Sequence, residues 1–200
     1  MNIKQLEELV LQSLEHELGG IQLYKAAIAC ALNPDLKKEW QHYLEETENH
    51  ARALQAVCGE LELDPARETP GRSVVRHNGQ ALLQALELAK AGGDPAAAEI
   101  VACECIVLAE TKDHADWQLL GKCAENLDHP AAAALKMAYD EIEDQEDEHL
   151  YHTKGWCREL WIQSLGLTAV LPPPEERRKV KTAIAAAKAE QEADKVRLAR

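Results

Sequence analysis

All eight prolines of this 200-residue chain fall between, and never inside, the stretches where apolar residues recur every three or four positions. Proline has no backbone N–H and clashes with the preceding helical turn, and the residue before it resists the helical conformation. The chain is therefore cut into helices whose ends are legible. A first long helix runs from about Asn2 to Leu32 and is closed by Asn33-Pro34. A second begins at Pro34-Asp35, where proline is tolerated in the first turn, and reaches Cys58-Gly59. Asp64–Gly71, DPARETPG, reads as a loop, and a shorter helix over about Ser73–Ala91 stops at Gly92-Gly93. The third long helix opens at Asp94-Pro95 and reaches about Leu127. After Asp128-His129-Pro130 the fourth runs from Ala131 to Ser164.

Pro172-Pro173-Pro174 is a stiff spacer before a last helix over Glu175–Arg200. No segment shows the period-2 alternation of a half-buried strand. The expected fold class is thus all-α. Residues 1–166 form a four-helix bundle with a short extra helix in the crossover between the second and third long helices. Residues 167–174 form a Pro-rich linker, and 175–200 a C-terminal Ala/Lys-rich helical tail.

Nearly half the residues are apolar, enough to bury a core. The formal charge is −13, which argues against a nucleic-acid surface and suits a protein that attracts cations. The charge is uneven. From Glu175 on, eight Lys/Arg stand against five Asp/Glu, which leaves the first 174 residues at −16. The tail's apolar face is mostly alanine, so it is expected to pack weakly or against another subunit of a homo-oligomer, a dimer at the smallest. The N-terminus MNIKQLEELVLQSLEHELGG is amphipathic and acidic, without the regions of a signal peptide, and no stretch reaches a membrane-spanning length. A cytoplasmic protein without membrane contact is expected. The six cysteines are scattered among Ala and Leu, and Cys103-x-Cys105 cannot face one way on a helix, so they read as small buried hydrophobes.

The inward stripes carry residues that a plain core does not want. The fourth long helix presents Leu135, Tyr139, Ile142, Glu146, His149, Thr153, Trp156 and Leu160 in steps of three and four. The second presents Leu36, Trp40, Tyr43, Thr47, His50, Leu54, Val57 and Leu61, with His50 in the place of His149 and Thr47 in the place of Glu146. The first sets Glu17 between Val10 and Tyr24, and the third sets Glu110 between Cys103 and Trp117. In both, an aromatic follows the glutamate by seven residues, Glu17 to Tyr24 and Glu110 to Trp117. The first and second long helices and the third and fourth therefore look like two copies of one helical hairpin. An ionised carboxylate inside a bundle costs on the order of several kcal/mol unless it is paired or bound to metal. Three glutamates and two histidines at matched heights on four inward stripes have one economical explanation, a shared cation.

These residues resemble the ferritin-like superfamily of di-iron and di-manganese carboxylate bundles, which use a Glu from each of two helices and a Glu-x-x-His from each of the other two. Glu146-Asp147-Glu148-His149 matches Glu-x-x-His, and Glu17 and Glu110 match the single glutamates. The text HYLEETENHARAL around His50 is similar to a bacterial stress-response branch of these bundles. The second long helix departs from the pattern, because Thr47 stands three residues before His50. Glu46, four residues before His50, and Asp113, one turn beyond Glu110, are candidate replacements.

The resemblance implies one or two iron ions, with manganese as the next choice, since histidine and carboxylate suit both. Glu17 and His50 would serve one ion, Glu110 and His149 the other, and Glu146 would bridge. The implied reaction is oxidation of Fe(II) by O2 or peroxide. A non-enzymatic, structural or partner-binding bundle with a degraded site is the alternative, and Thr47 is its main support. His152 and Glu143 border the stripe, and His16, His42, His77, His114 and His129 read as surface or capping residues.

Overall fold

The computed structural model describes residues 1–178 and 180–199. Lys179 and Arg200, both within the expected tail helix, lie outside the described residues. The three α-helices that proline opens are each also capped by a side chain, as is the first helix. Helix α1 (Ile3–Cys30) is capped by Asn2, whose side chain accepts from the Gln5 N–H. Asn33 caps α2 (Pro34–Glu60) through the N–H groups of Asp35 and Leu36. Thr69 caps α3 (Pro70–Ala91), and Asp94 caps α4 (Pro95–Asn126). Helix α5 (Ala132–Ser164) follows the turn in which the Ala131 N–H donates to His129 Nδ1. Such caps satisfy N–H groups that a helix start leaves without partners. Thr69 also explains why α3 starts at Pro70, a turn earlier than expected. No strand occurs among the described residues.

Cross-helix contacts fix the topology. Glu17 meets Trp117 while Tyr24 meets Glu110, so α1 and α4 run antiparallel. Likewise His50 meets Gln145 while Glu46 meets His149, so α2 and α5 run antiparallel. The four long helices close a ring in which α1 packs on α2 and α4, and α5 packs on the same two. The α1–α2 hairpin and the α4–α5 hairpin are then joined by a crossover along the bundle's length, and α3 occupies it. Helix α3 lies against α1 and α4, with Leu86 in the core and Arg72 ion-paired to Glu15 at 2.7 Å.

The core is split into two apolar clusters. One gathers Leu23, Tyr24, Trp40, Ile106 and Trp156; the other gathers Val10, Leu14, Leu54, Trp117 and Ile142. Each fully buried side chain of this size contributes roughly 1.5–3 kcal/mol. Between the clusters, at the middle of all four long helices, lies a layer of buried polar residues.

The tail departs from the continuous helix expected over 175–200. Pro174–Arg177 forms a single 3-10 turn (η1), and helix α6 spans only Ala183–Leu198. The reason is the docking of the preceding strap on α5. Glu175 is buried against Arg158, at 2.6 Å, and Gly155 leaves room for it: a Cβ there would lie 2.9 Å from the Glu175 carboxyl and 3.1 Å from Pro173. The alanine face packs within the chain, with Ala189 and Ala193 fully buried. No described helix is long and apolar enough to cross a membrane.

Candidate metal centre

Five of the seven residues singled out from the sequence converge in the polar layer. Ligand atoms of Glu17, His50 and Glu146 lie within 4.8 Å of one another, and so do those of Glu110, Glu146 and His149. Glu146 belongs to both groups. Its Oε1 is 2.9 Å from His50 Nδ1 and 3.8 Å from His149 Nδ1. Glu17 Oε1 lies 3.6 Å from His50 Nδ1, and Glu110 Oε2 lies 3.6 Å from His149 Nδ1. All five are buried.

The atoms that face inward lack aligned hydrogen-bond partners. Both oxygens of Glu146, one oxygen each of Glu17 and Glu110, and Nδ1 of both histidines are buried without one. Buried polar atoms of native proteins are nearly always satisfied. Here six of the ten unsatisfied side-chain atoms among the described residues belong to the same two triads.

The outward-facing atoms, in contrast, are each held. Trp117 on α4 donates its indole N–H to Glu17 Oε1 at 2.8 Å, and Tyr24 on α1 donates its hydroxyl to Glu110 Oε1 at 2.8 Å. His50 Nε2 is 2.7 Å from Gln145 Oε1, and His149 Nε2 is 2.9 Å from Glu46 Oε2. Those oxygens only accept, so Nε2 carries the hydrogen in both rings and Nδ1 is left to face the centre. The holding residues come in reciprocal pairs. Each glutamate is gripped by the aromatic of the other hairpin, and each imidazole by the residue four before the other histidine.

Charge follows from this geometry. Burial pulls the His149 imidazole down, but the neighbouring carboxylates of Glu110 and Glu46 outweigh it and hold its pKa up to about 10. His50 is likewise raised, the charges of Glu17 and Glu146 overcoming burial. Burial and the charges of Glu110 and Glu17 raise Glu146 despite its contact with His50. Burial raises Glu110 too, yet His149 and Tyr24 bring it below the usual carboxylate range. A proton on Nδ1 therefore occupies the position that a cation would take, and the all-N/O donor set would suit iron, manganese or zinc.

The two remaining candidates belong to neither triad. Glu46 grips the outer nitrogen of His149 and belongs to neither triad. Asp113 is buried with Oδ1 unpartnered, also outside both triads, and burial next to Glu17, Glu146 and Glu110 drives its pKa well up. Thr47 is buried, and its hydroxyl donates to the Tyr43 carbonyl at 2.8 Å, so it turns towards its own helix. Its methyl faces Gly20. Where the second hairpin has Asp113 and Glu146, the first has Gly20 and Thr47. Sequence reasoning missed Gln145 as a holding residue. The available signal was its place four before His149, matching Glu46 before His50. His152, expected next to the stripe, is buried and meets Tyr43.

No family model, curated protein or solved structure matches the chain. Its chemistry therefore rests on the residues themselves.

Proposed function

We propose that the centre holds two divalent transition-metal ions, iron first and manganese next. On this reading the protein is a ferritin-like oxidoreductase that oxidises Fe(II) with O2 or peroxide. One observation carries it: two Glu/His triads share Glu146, and their buried inward atoms face one another without an aligned hydrogen bond. Two antiparallel hairpins joined by a full-length crossover support the fold assignment, since ferritin-like bundles are connected in that way. Fold alone does not establish a reaction.

In this reading Glu17 and His50 hold one ion, Glu110 and His149 the other, and Glu146 both. When bound, the ions supply one-electron redox chemistry. Trp117 and Tyr24 fix the carboxylates, Gln145 and Glu46 fix the imidazole tautomers, and the apolar clusters on either side exclude bulk water. Gly20 and Thr47 are short and uncharged, so that side of the layer is where a small oxidant fits.

Thr47 favours a second reading. Its hydroxyl is engaged with Tyr43, so the centre has one bridging carboxylate, and a bundle that acts by binding a partner without redox chemistry accommodates that. Metal content separates the two. The central layer of purified protein is expected to carry between one and two ions per chain, and chelation should lower its melting temperature, because a ligand of the native state stabilises it by mass action. Protein that neither binds Fe(II) or Mn(II) nor shifts its melting temperature on adding them would leave only the second reading.

A further inference from the structure

Tyr43 leads out of the central layer. Its ring centroid lies 4.2 Å from that of His149, and its hydroxyl reaches a separate polar cluster. There it donates to Glu39 Oε1 at 2.6 Å and lies 2.9 Å from His152 Nδ1. Glu39 Oε1 is itself 3.3 Å from His152 Nδ1. Glu39 Oε2 accepts the Trp156 indole N–H at 2.8 Å, and Glu176 of the η1 turn accepts the same N–H.

The cluster has too few hydrogens. Its inward acceptors are the two oxygens of Glu39, Oε1 of Glu176 and Nδ1 of His152, served only by the Tyr43 hydroxyl and the Trp156 N–H. No Lys or Arg among the described residues pairs with Glu39 or Glu176. His152 is nine-tenths buried, and its Nε2 lies 3.3 Å from the Arg178 carbonyl oxygen. A carbonyl only accepts, so Nε2 carries the hydrogen and the Nδ1 lone pair points at Glu39, the tautomer a metal ligand needs. Ligand atoms of Glu39, His152 and Glu176 lie within 4.8 Å of one another, and both glutamates are partly open to solvent.

We propose that Glu39, His152 and Glu176 form a second, peripheral divalent-cation site, completed by the C-terminal strap and separated from the central layer by Tyr43. Two carboxylates and one imidazole give an N/O set for Mn(II), Fe(II) or Zn(II), with water filling the solvent side. The site does not depend on the central layer holding an ion. An ion here also ties η1 to α2 and α5, because Glu176 is the strap's own contribution.

The test is a Mn(II) titration, with free ion counted by electron paramagnetic resonance, on the full-length wild type, Glu176→Gln, Glu146→Ala and the double variant. Glu176→Gln should lose one ion or weaken it by at least the roughly tenfold that even outer-sphere partners of a ligand are worth. Glu146→Ala should retain that ion, and the double variant should bind none. His152→Gln should reproduce the loss, and melting curves should show that neither variant unfolds the strap. A Glu176→Gln protein that titrates like the wild type would overturn the peripheral site. So would a Glu146→Ala protein that binds no Mn(II), whereas Glu146→Ala without effect would count against the central centre alone.

Discussion

Tyr24 on α1 donates its hydroxyl to Glu110 on α4 across 2.8 Å of buried space, and the pair is mirrored by Trp117 and Glu17 in the opposite direction. An aromatic seven residues from one glutamate thus serves the glutamate of the other hairpin. Removing either donor strands a buried carboxylate oxygen. Tyr24→Phe and Trp117→Phe should each cost about 1–3 kcal/mol of stability and roughly 10–100-fold in Mn(II) affinity. Chemical denaturation and Mn(II) titration check both numbers. A large loss in one variant and none in the other would refute the equivalence of the two pairs.

The histidines differ in what grips them, a carboxylate from Glu46 for His149 and an amide from Gln145 for His50. A carboxylate makes the imidazole a stronger donor, so the ion on His149 should be held more tightly. Glu46→Gln should bring the two affinities together, and Gln145→Glu should tighten the weaker ion. Calorimetric titration resolves the two steps. Glu146→Ala should abolish both, because that carboxylate is common to the triads.

The His149 pKa, about 10 in the metal-free fold against roughly 6.5 in an unfolded chain, sets a pH dependence. A group raised on folding lends stability that is complete below the unfolded value and is lost as pH climbs through the folded one. Asp147, pushed up to about 7 chiefly by burial and then by the charge of Glu143, acts in the same direction at lower pH. The melting temperature of metal-free protein should therefore fall between about pH 6.5 and 10. Metal needs Nδ1 without its proton, so the gap between Mn(II)-loaded and metal-free melting curves should widen over that range. Parallel curves would show that the ion does not sit on Nδ1.

Thr47→Glu restores Glu-x-x-His on α2 at a position already buried in the layer. A second bridging carboxylate offsets the repulsion between two divalent ions, so the weaker central ion should tighten and the stoichiometry of the central layer should rise towards two. A variant that is destabilised and binds no more Mn(II) would show that α2 is only a packed wall at this height.

Gly155→Ala tests the strap. The added methyl would meet both Glu175 and Pro173, and relieving the overlap should cost about 1–3 kcal/mol. Limited proteolysis near residue 178 should accelerate relative to wild type, and unchanged cleavage would mean that the strap accommodates the methyl without loosening.

The long helices were legible because prolines with capping residues mark their starts and because the inward stripes repeat every three or four positions. The same stripes exposed Glu17, His50, Glu110, Glu146 and His149, since charged residues in apolar rows are conspicuous. Glu46 was harder. Its spacing put it on the face of His50, yet it reaches across to His149, and reach between helices is not written in local spacing. The tail is not legible in local sequence for a related reason. Glu175 and Glu176 look like a helix start in sequence, but Arg158 and Trp156, far along the chain, hold them in a single 3-10 turn.

The reciprocal grip also bears on how the chain is made. Glu17 and Trp117 are 100 residues apart, His50 and Gln145 are 95 apart, and each hairpin alone holds its glutamate and histidine without their partners. During synthesis from the N-terminus, α1 and α2 can pair early, but their carboxylate and imidazole stay ungripped until α4 and α5 have left the ribosome. Contacts this distant in sequence close slowly. On the proposed function, metal capture would accordingly be a late event, and an ion bridging the halves would act as a clasp on two hairpins already made.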